Sequence, residues 1–85
     1  MQKILLSGEA FEDLVYWANS DLKILKRIFS LIKEIKRDPF KGIGKPEPLK
    51  YNLKGCWSRQ INDEHRIVYQ IFENNVIILS CRYHY

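Results

Sequence analysis

The sequence predicts an α+β fold of order βααβββ, with two N-terminal helices packed on one face of an antiparallel-rich sheet. Apolar residues recur at three- and four-residue steps through the first half of the chain. The stretch "DPFKGIGKPEP" at residues 38–48 then holds three prolines and two glycines, which neither a helix nor a central strand accommodates. Beyond it, aromatic and β-branched residues fill three short runs separated by "NDE" and "ENN", both suited to tight turns. The 85 residues are enough for one domain with one modest core, so residues 1–85 are expected to form a single unit.

A short apolar strand is expected at residues 3–6, followed by Ser7 as the N-cap of a helix over residues 9–18. Phe11, Leu14, Val15 and Ala18 form its apolar face. "NSD" at residues 19–21 ends that helix and caps a second one over residues 21–37. There Leu22, Leu25, Ile28, Phe29, Ile32 and Ile35 make a core-facing stripe. Lys23, Lys26, Arg27, Lys33, Lys36 and Arg37 cover its other sides. Such a surface is ordinarily just solvated, although dispersed cations also suit the phosphate backbone of RNA. Residues 38–48 read as a loop, long enough on a small domain to suggest a function. Residues 56–62, 65–72 and 76–83 complete the fold as an antiparallel meander with the helices on one side.

Composition narrows the function. Hydrophobic residues at 46% and charged residues at 28% are those of a folded chain rather than a disordered one. Fourteen Lys and Arg against ten Asp and Glu give a net charge of +4, a bias toward anionic partners with nucleic acid foremost. "KILL" is too short for the apolar core of a signal peptide, and no apolar run matches a membrane span. A cytoplasmic, reduced protein is expected, with Cys56 and Cys81 as small core hydrophobes. Cys81 and His84 have a Cys-x-x-His spacing and Cys56 and His65 are further candidates, but there is no Cys-x-x-Cys pair, so neither metal nor other cofactor is expected. No serine sits in a nucleophile elbow.

Five residues could carry chemistry. Glu47, between Pro46 and Pro48, is presented from a stiff backbone among Lys45 and Lys50, which suits a general base, although an acid in a turn is more often merely solvated. Arg66 opens the run "HRIVYQIF" on a face shared with Val68 and Gln70, while Arg59 shares its own face with Trp57 and Ile61. Two arginines on adjacent strands beside aromatics suit an RNA phosphate with a stacked base. His84 and Tyr85, in the final "CRYHY", could supply a proton donor and a base- or phosphate-positioning ring if the chain end curls off the sheet; otherwise they are a frayed tail.

The combination of "GKPEPL", "WSR", "EHR.VY" and "CRYHY" resembles the YoeB-type toxins of bacterial type II toxin–antitoxin modules, part of the RelE/ParE superfamily. The resemblance spans essentially the whole chain. It implies a metal-independent endoribonuclease that cuts messenger RNA in the A site of the 70S ribosome. By position, Glu47 matches the family's general base, Arg66 its phosphate-stabilising arginine, His84 its general acid and Tyr85 its terminal RNA-positioning tyrosine. Lys50 and Arg59 fall where the family has basic residues near the substrate. Cys56 stands where an aromatic is expected and Gln60 where a second arginine is expected. The resemblance also implies a YefM/Phd-type antitoxin, a homodimer, and operator DNA bound only through the antitoxin complex. A gyrase-poisoning relative or a basic RNA-binding module are the other classes; neither needs an acid–base pair.

Overall fold

The computed structural model describes residues 3–83. Strand β1 (Ile4–Leu6) leads into helices α1 (Gly8–Ser20) and α2 (Leu22–Arg37). After the Pro/Gly loop come a two-residue strand β2 (Glu47–Pro48), a 3₁₀ turn (Tyr51–Leu53), and strands β3 (Trp57–Gln60), β4 (Arg66–Phe72) and β5 (Asn75–Ser80). The sheet order is β1-β5-β4-β3-β2. Only β1 runs parallel to its neighbour β5; the other pairs are antiparallel, as expected of hairpins and a returning loop.

Capping fixes where the helices begin. Ser7 Oγ accepts from the Ala10 N–H (3.0 Å) and donates to the Leu79 carbonyl (2.8 Å), so one hydroxyl starts α1 and ties it to the end of β5. Asp21 Oδ1 accepts from the N–H groups of Lys23 and Ile24, while the Asp21 N–H closes the last turn of α1 on Trp17 O. Asn19 and Ser20, expected to lie beyond the first helix, are its last residues.

The buried faces differ from expectation by a small rotation. In α1 the buried residues are Ala10 and Trp17, with Leu14 beside them, while Phe11 and Val15 are exposed. In α2 the buried line is Ile28, Leu31, Ile32 and Ile35; Leu22 and Phe29 face outward. Both helices pack on Ile67, Tyr69, Val76, Ile78 and Cys81 to form the main core. A smaller cluster of Leu49, Cys56 and Val68, with Leu53 and Leu79 against it, uses the residues of β4 and β5 that alternate with the first set. It therefore lies on the sheet face opposite the helices.

The loop before β2 packs tightly. Gly44 has φ +85°, and its carbonyl accepts from the Gln60 N–H at 2.6 Å. A Cβ there would meet Leu31 Cδ2 at 2.8 Å, so only glycine fits both the backbone and the space.

Candidate active site

The pairing of β2 with β3 puts Glu47 opposite Ser58, and Ser58 in turn lies opposite Val68 on β4. Opposed residues point to the same side of a sheet. Glu47, Ser58, Val68 and, two residues along, Arg66 therefore share the face away from the helices. Glu47 Oε1 lies 3.2 Å from Arg66 Nη1, which also donates to Ser58 Oγ at 3.2 Å. Ser58 is fully buried, Arg66 largely so, and Glu47 is 46% exposed. The sequence reading passed over Ser58; its place opposite Glu47 follows from a two-residue strand too short to show any periodicity.

Lys50 is exposed and stands at the start of the 3₁₀ turn. A groove of about 380 Å³ opens beside Glu47, lined by residues 47–53. The basic outer side of α2 belongs to the opposite layer and takes no part in this face.

Arg59 requires a correction. It pairs with Ile67, which faces the helices, so it projects to the side opposite Arg66 and is completely buried. Its Nη2 donates to the carbonyls of Asp38 (2.5 Å) and Lys41 (2.9 Å), Nη1 to that of Ile43 (3.0 Å), and Nε to Tyr69 Oη (3.2 Å). The Tyr69 hydroxyl in turn donates to Pro39 O at 2.7 Å. Arg59 is thus the internal clasp of the Pro/Gly loop rather than a substrate contact, and the expected side-by-side pair of arginines does not form. Glu34 lies near it: the hydrogen bond from Arg37 is the main influence holding the Glu34 carboxyl below its usual pKa, and the Arg59 charge adds to it.

The chain beyond β5 continues alongside the start of β4. The Cys81 N–H donates to Asp13 Oδ2 (2.8 Å), and the Trp17 indole N–H to the Cys81 carbonyl (2.9 Å). The Tyr83 N–H donates to His65 Nδ1 (2.8 Å), and the Arg66 N–H to the Tyr83 carbonyl (3.1 Å). An Nδ1 that accepts carries no proton, so His65 is in the tautomer protonated at Nε2. Its ring is buried between Trp17 (centroids 4.8 Å apart, edge-on) and Tyr83 (5.5 Å). The Arg82 guanidinium lies 3.4 Å from the Tyr16 ring centroid. The described chain thus reaches Tyr83 with its backbone already fastened to that of Arg66. His84 and Tyr85 lie outside the described residues.

Cys56 and Cys81 are free, buried thiols in different clusters. Burial pushes both up, Cys81 to about 12, so neither is a thiolate nucleophile at neutral pH. Among the described residues no three His, Cys, Asp or Glu side chains gather as metal ligands, and no helix is long and apolar enough to cross a membrane.

Known proteins resemble this chain in sequence and fold. Residues 6–85 match the family model described as the YoeB-like toxin of bacterial type II toxin–antitoxin systems. A protein named Toxin YoeB from Escherichia coli (strain K12) is 51% identical over 83 residues, covering 98% of this chain and 99% of its own. A YoeB/ParE toxin from Agrobacterium tumefaciens superposes with a TM-score of 0.96 at 38% identity, over 99% of this chain and 100% of that one. A chain of a YoeB–YefM complex from Staphylococcus aureus gives a TM-score of 0.90 at 49% identity, over 96% of this chain and 95% of that one.

Proposed function

The chain belongs to the YoeB-like toxin family of bacterial type II toxin–antitoxin systems, and from that membership we propose that it is an endoribonuclease cutting messenger RNA in the A site of the 70S ribosome. The observation that carries the proposal is the 3.2 Å approach of Glu47 and Arg66 on an accessible sheet face. A ribose 2′-hydroxyl and the phosphate next to it belong to one nucleotide unit. A carboxylate and a guanidinium this close can therefore address both at once.

In this mechanism Glu47 takes the 2′-hydroxyl proton as the oxygen attacks the adjacent phosphorus. Arg66, held by Ser58, stabilises the charge that grows on the phosphoryl oxygens. His84 gives a proton to the departing 5′-oxygen as its bond to phosphorus breaks. The product is a 2′,3′-cyclic phosphate, which water can open to a 3′-phosphate. Tyr85 positions the RNA, and Lys50 contributes positive charge beside it. The nucleophile comes from the substrate, so the residues need only move protons and steady charge. Tyr83, the last described residue before His84 in the sequence, has its carbonyl bonded to the Arg66 N–H.

The partners proposed with this activity are the messenger and ribosomal RNA of the decoding site and a YefM/Phd-type antitoxin. The antitoxin would cover the cationic site with a segment that folds on binding. The YoeB–YefM complex among the similar structures supports that partner. A homodimer, a cytoplasmic location, and operator DNA contacted only through the antitoxin complex complete the reading.

The test is primer extension on a messenger bound to programmed ribosomes, with the parent protein, Glu47→Ala and His84→Ala. A cut within the A-site codon that both variants lose is the expected result, since each proton-transfer group is worth roughly 10²–10⁴-fold. An uncut messenger with folded parent protein would refute the activity. A fully active variant would refute that residue's role.

A further inference from the structure

The groove beside Glu47 has an unusual rim. Tyr51 is 90% exposed, more than any other large hydrophobic residue among those described. Its backbone has φ +59°, a left-handed conformation that bulky residues rarely adopt. Holding an aromatic ring in water on a strained backbone costs free energy twice, and the fold maintains both.

The support beneath it is firm. The Leu53 N–H donates to Lys50 O (3.1 Å), the Lys54 N–H to Tyr51 O (3.0 Å), and the Leu49 N–H to Cys56 O (2.9 Å). Leu49 and Leu53 root the turn in the smaller apolar cluster. The ring is therefore presented from a closed turn rather than from a loose loop. The groove of about 380 Å³ has Pro48, Leu49 and Leu53 for its apolar walls, with Glu47, Lys50 and Asn52 at the polar edge. That size falls at the lower end of small-ligand sites.

We propose that this groove is a subsite for one nucleobase of a single-stranded RNA, with the Tyr51 ring as its stacking platform. The assignment rests on the cleavage reading for its neighbour, because the scissile phosphate placed at Glu47 and Arg66 brings an adjoining base within one nucleotide of the groove. Charge agrees: Lys50 and Lys54, which flank this turn, are both exposed, matching a polyanion that offers a π-face at every residue. Sequence preference is then weak at this position, since stacking on one aromatic ring tolerates any base.

The experiment uses RNA carrying 2-aminopurine, whose fluorescence is quenched by stacking, both as a free single strand and as the A-site codon of a programmed ribosome. Full-length Glu47→Gln protein serves as a non-cleaving binder, alone and combined with Tyr51→Ala or Tyr51→Phe. Quenching that survives Tyr51→Phe and weakens with Tyr51→Ala, together with an apparent KM for cleavage raised roughly 10- to 100-fold by Tyr51→Ala in the otherwise unchanged chain, is expected. An unchanged melting temperature in Tyr51→Ala would exclude misfolding, because so exposed a ring has little packing to lose. If Tyr51→Ala stays within twofold of its parent in both readouts while the parent cleaves, the subsite is wrong and the cleavage reading stands. If the parent does not cleave but quenching depends on Tyr51, the subsite stands without the reaction. Absence of both quenching and cleavage overturns both.

Discussion

Replacing Arg59 tests whether a family-matched basic residue works on substrate or on the protein itself. Its guanidinium makes four hydrogen bonds, three of them to carbonyls of the loop at residues 38–43. Bonds from a charged donor are worth roughly 1.5–3 kcal/mol each. Lysine offers one nitrogen where arginine offers three spread over a plane, so it can satisfy about half of these acceptors. Arg59→Lys should then cost ~3 kcal/mol. A chain of this length has about 4–13 kcal/mol in total, so the variant remains folded but marginal. With a slope of about 2 kcal/mol per molar in guanidinium chloride, the unfolding midpoint should fall by ~1.5 M. Cleavage per folded molecule, measured well below that midpoint, should change little. A midpoint within about 0.2 M of the parent combined with lost cleavage would refute the argument and return Arg59 to the substrate.

Gly44→Ala should lower the melting temperature by roughly 10–20 °C, because φ +85° disfavours a side chain and its Cβ would lie 2.8 Å from Leu31 Cδ2; the same change at Gly55, with open space around it, should be milder. Stability should fall as pH rises from about 9 toward 12. Burial foremost, with Asp13 adding, raises the Cys81 thiol from 9.0 to about 12, so its stabilising contribution is complete below the unfolded value and is lost as pH climbs through the folded one. Tyr69, raised mainly by burial, acts in the same direction. Denaturation at several alkaline pH values should show a shallower decline in Cys81→Ala than in the parent. Finally, His65→Gln should lower kcat by about 10²-fold with little change in KM, because it removes the ring that orders the segment at Tyr83 without touching bound RNA; an unchanged kcat would show that this contact does not position the site.

Some of this was written plainly in the sequence. Ser7 and Asp21 cap the helices as their side chains suggest, and the alternation along β4 sorts Ile67 and Tyr69 from Arg66 and Val68. The phase of α1 was harder to read, because apolar residues occur nearly all round it: Phe11 and Val15 compete with Ala10, Leu14 and Trp17. The decisive difference is tertiary, since the Trp17 indole has a carbonyl to reach at Cys81. Arg59 carried its own clue. It alternates with Trp57 and Ile61, residues of the buried side, yet charge suggested exposure; the loop carbonyls that neutralise that objection lie 16 to 21 residues away. Glu47 and Arg66 could be named from sequence, but their convergence depends on a two-residue strand and its register.

The strand order also has a consequence for the sequence of events in folding. Among the described residues the sheet neighbour of β1 is β5 alone, and the Ser7 hydroxyl that begins α1 finds its carbonyl 72 residues later. The hairpins of β3, β4 and β5 can close early over short separations, whereas α1 and β1 must wait for a contact of high loop-closure entropy. A nascent chain halted before Cys81 has emerged would hold an unpaired first strand and a first helix without the partners of its Asp13 and Trp17. Docking of β1 and α1 therefore waits until the segment around Leu79 and Cys81 is available, however early those first elements are made.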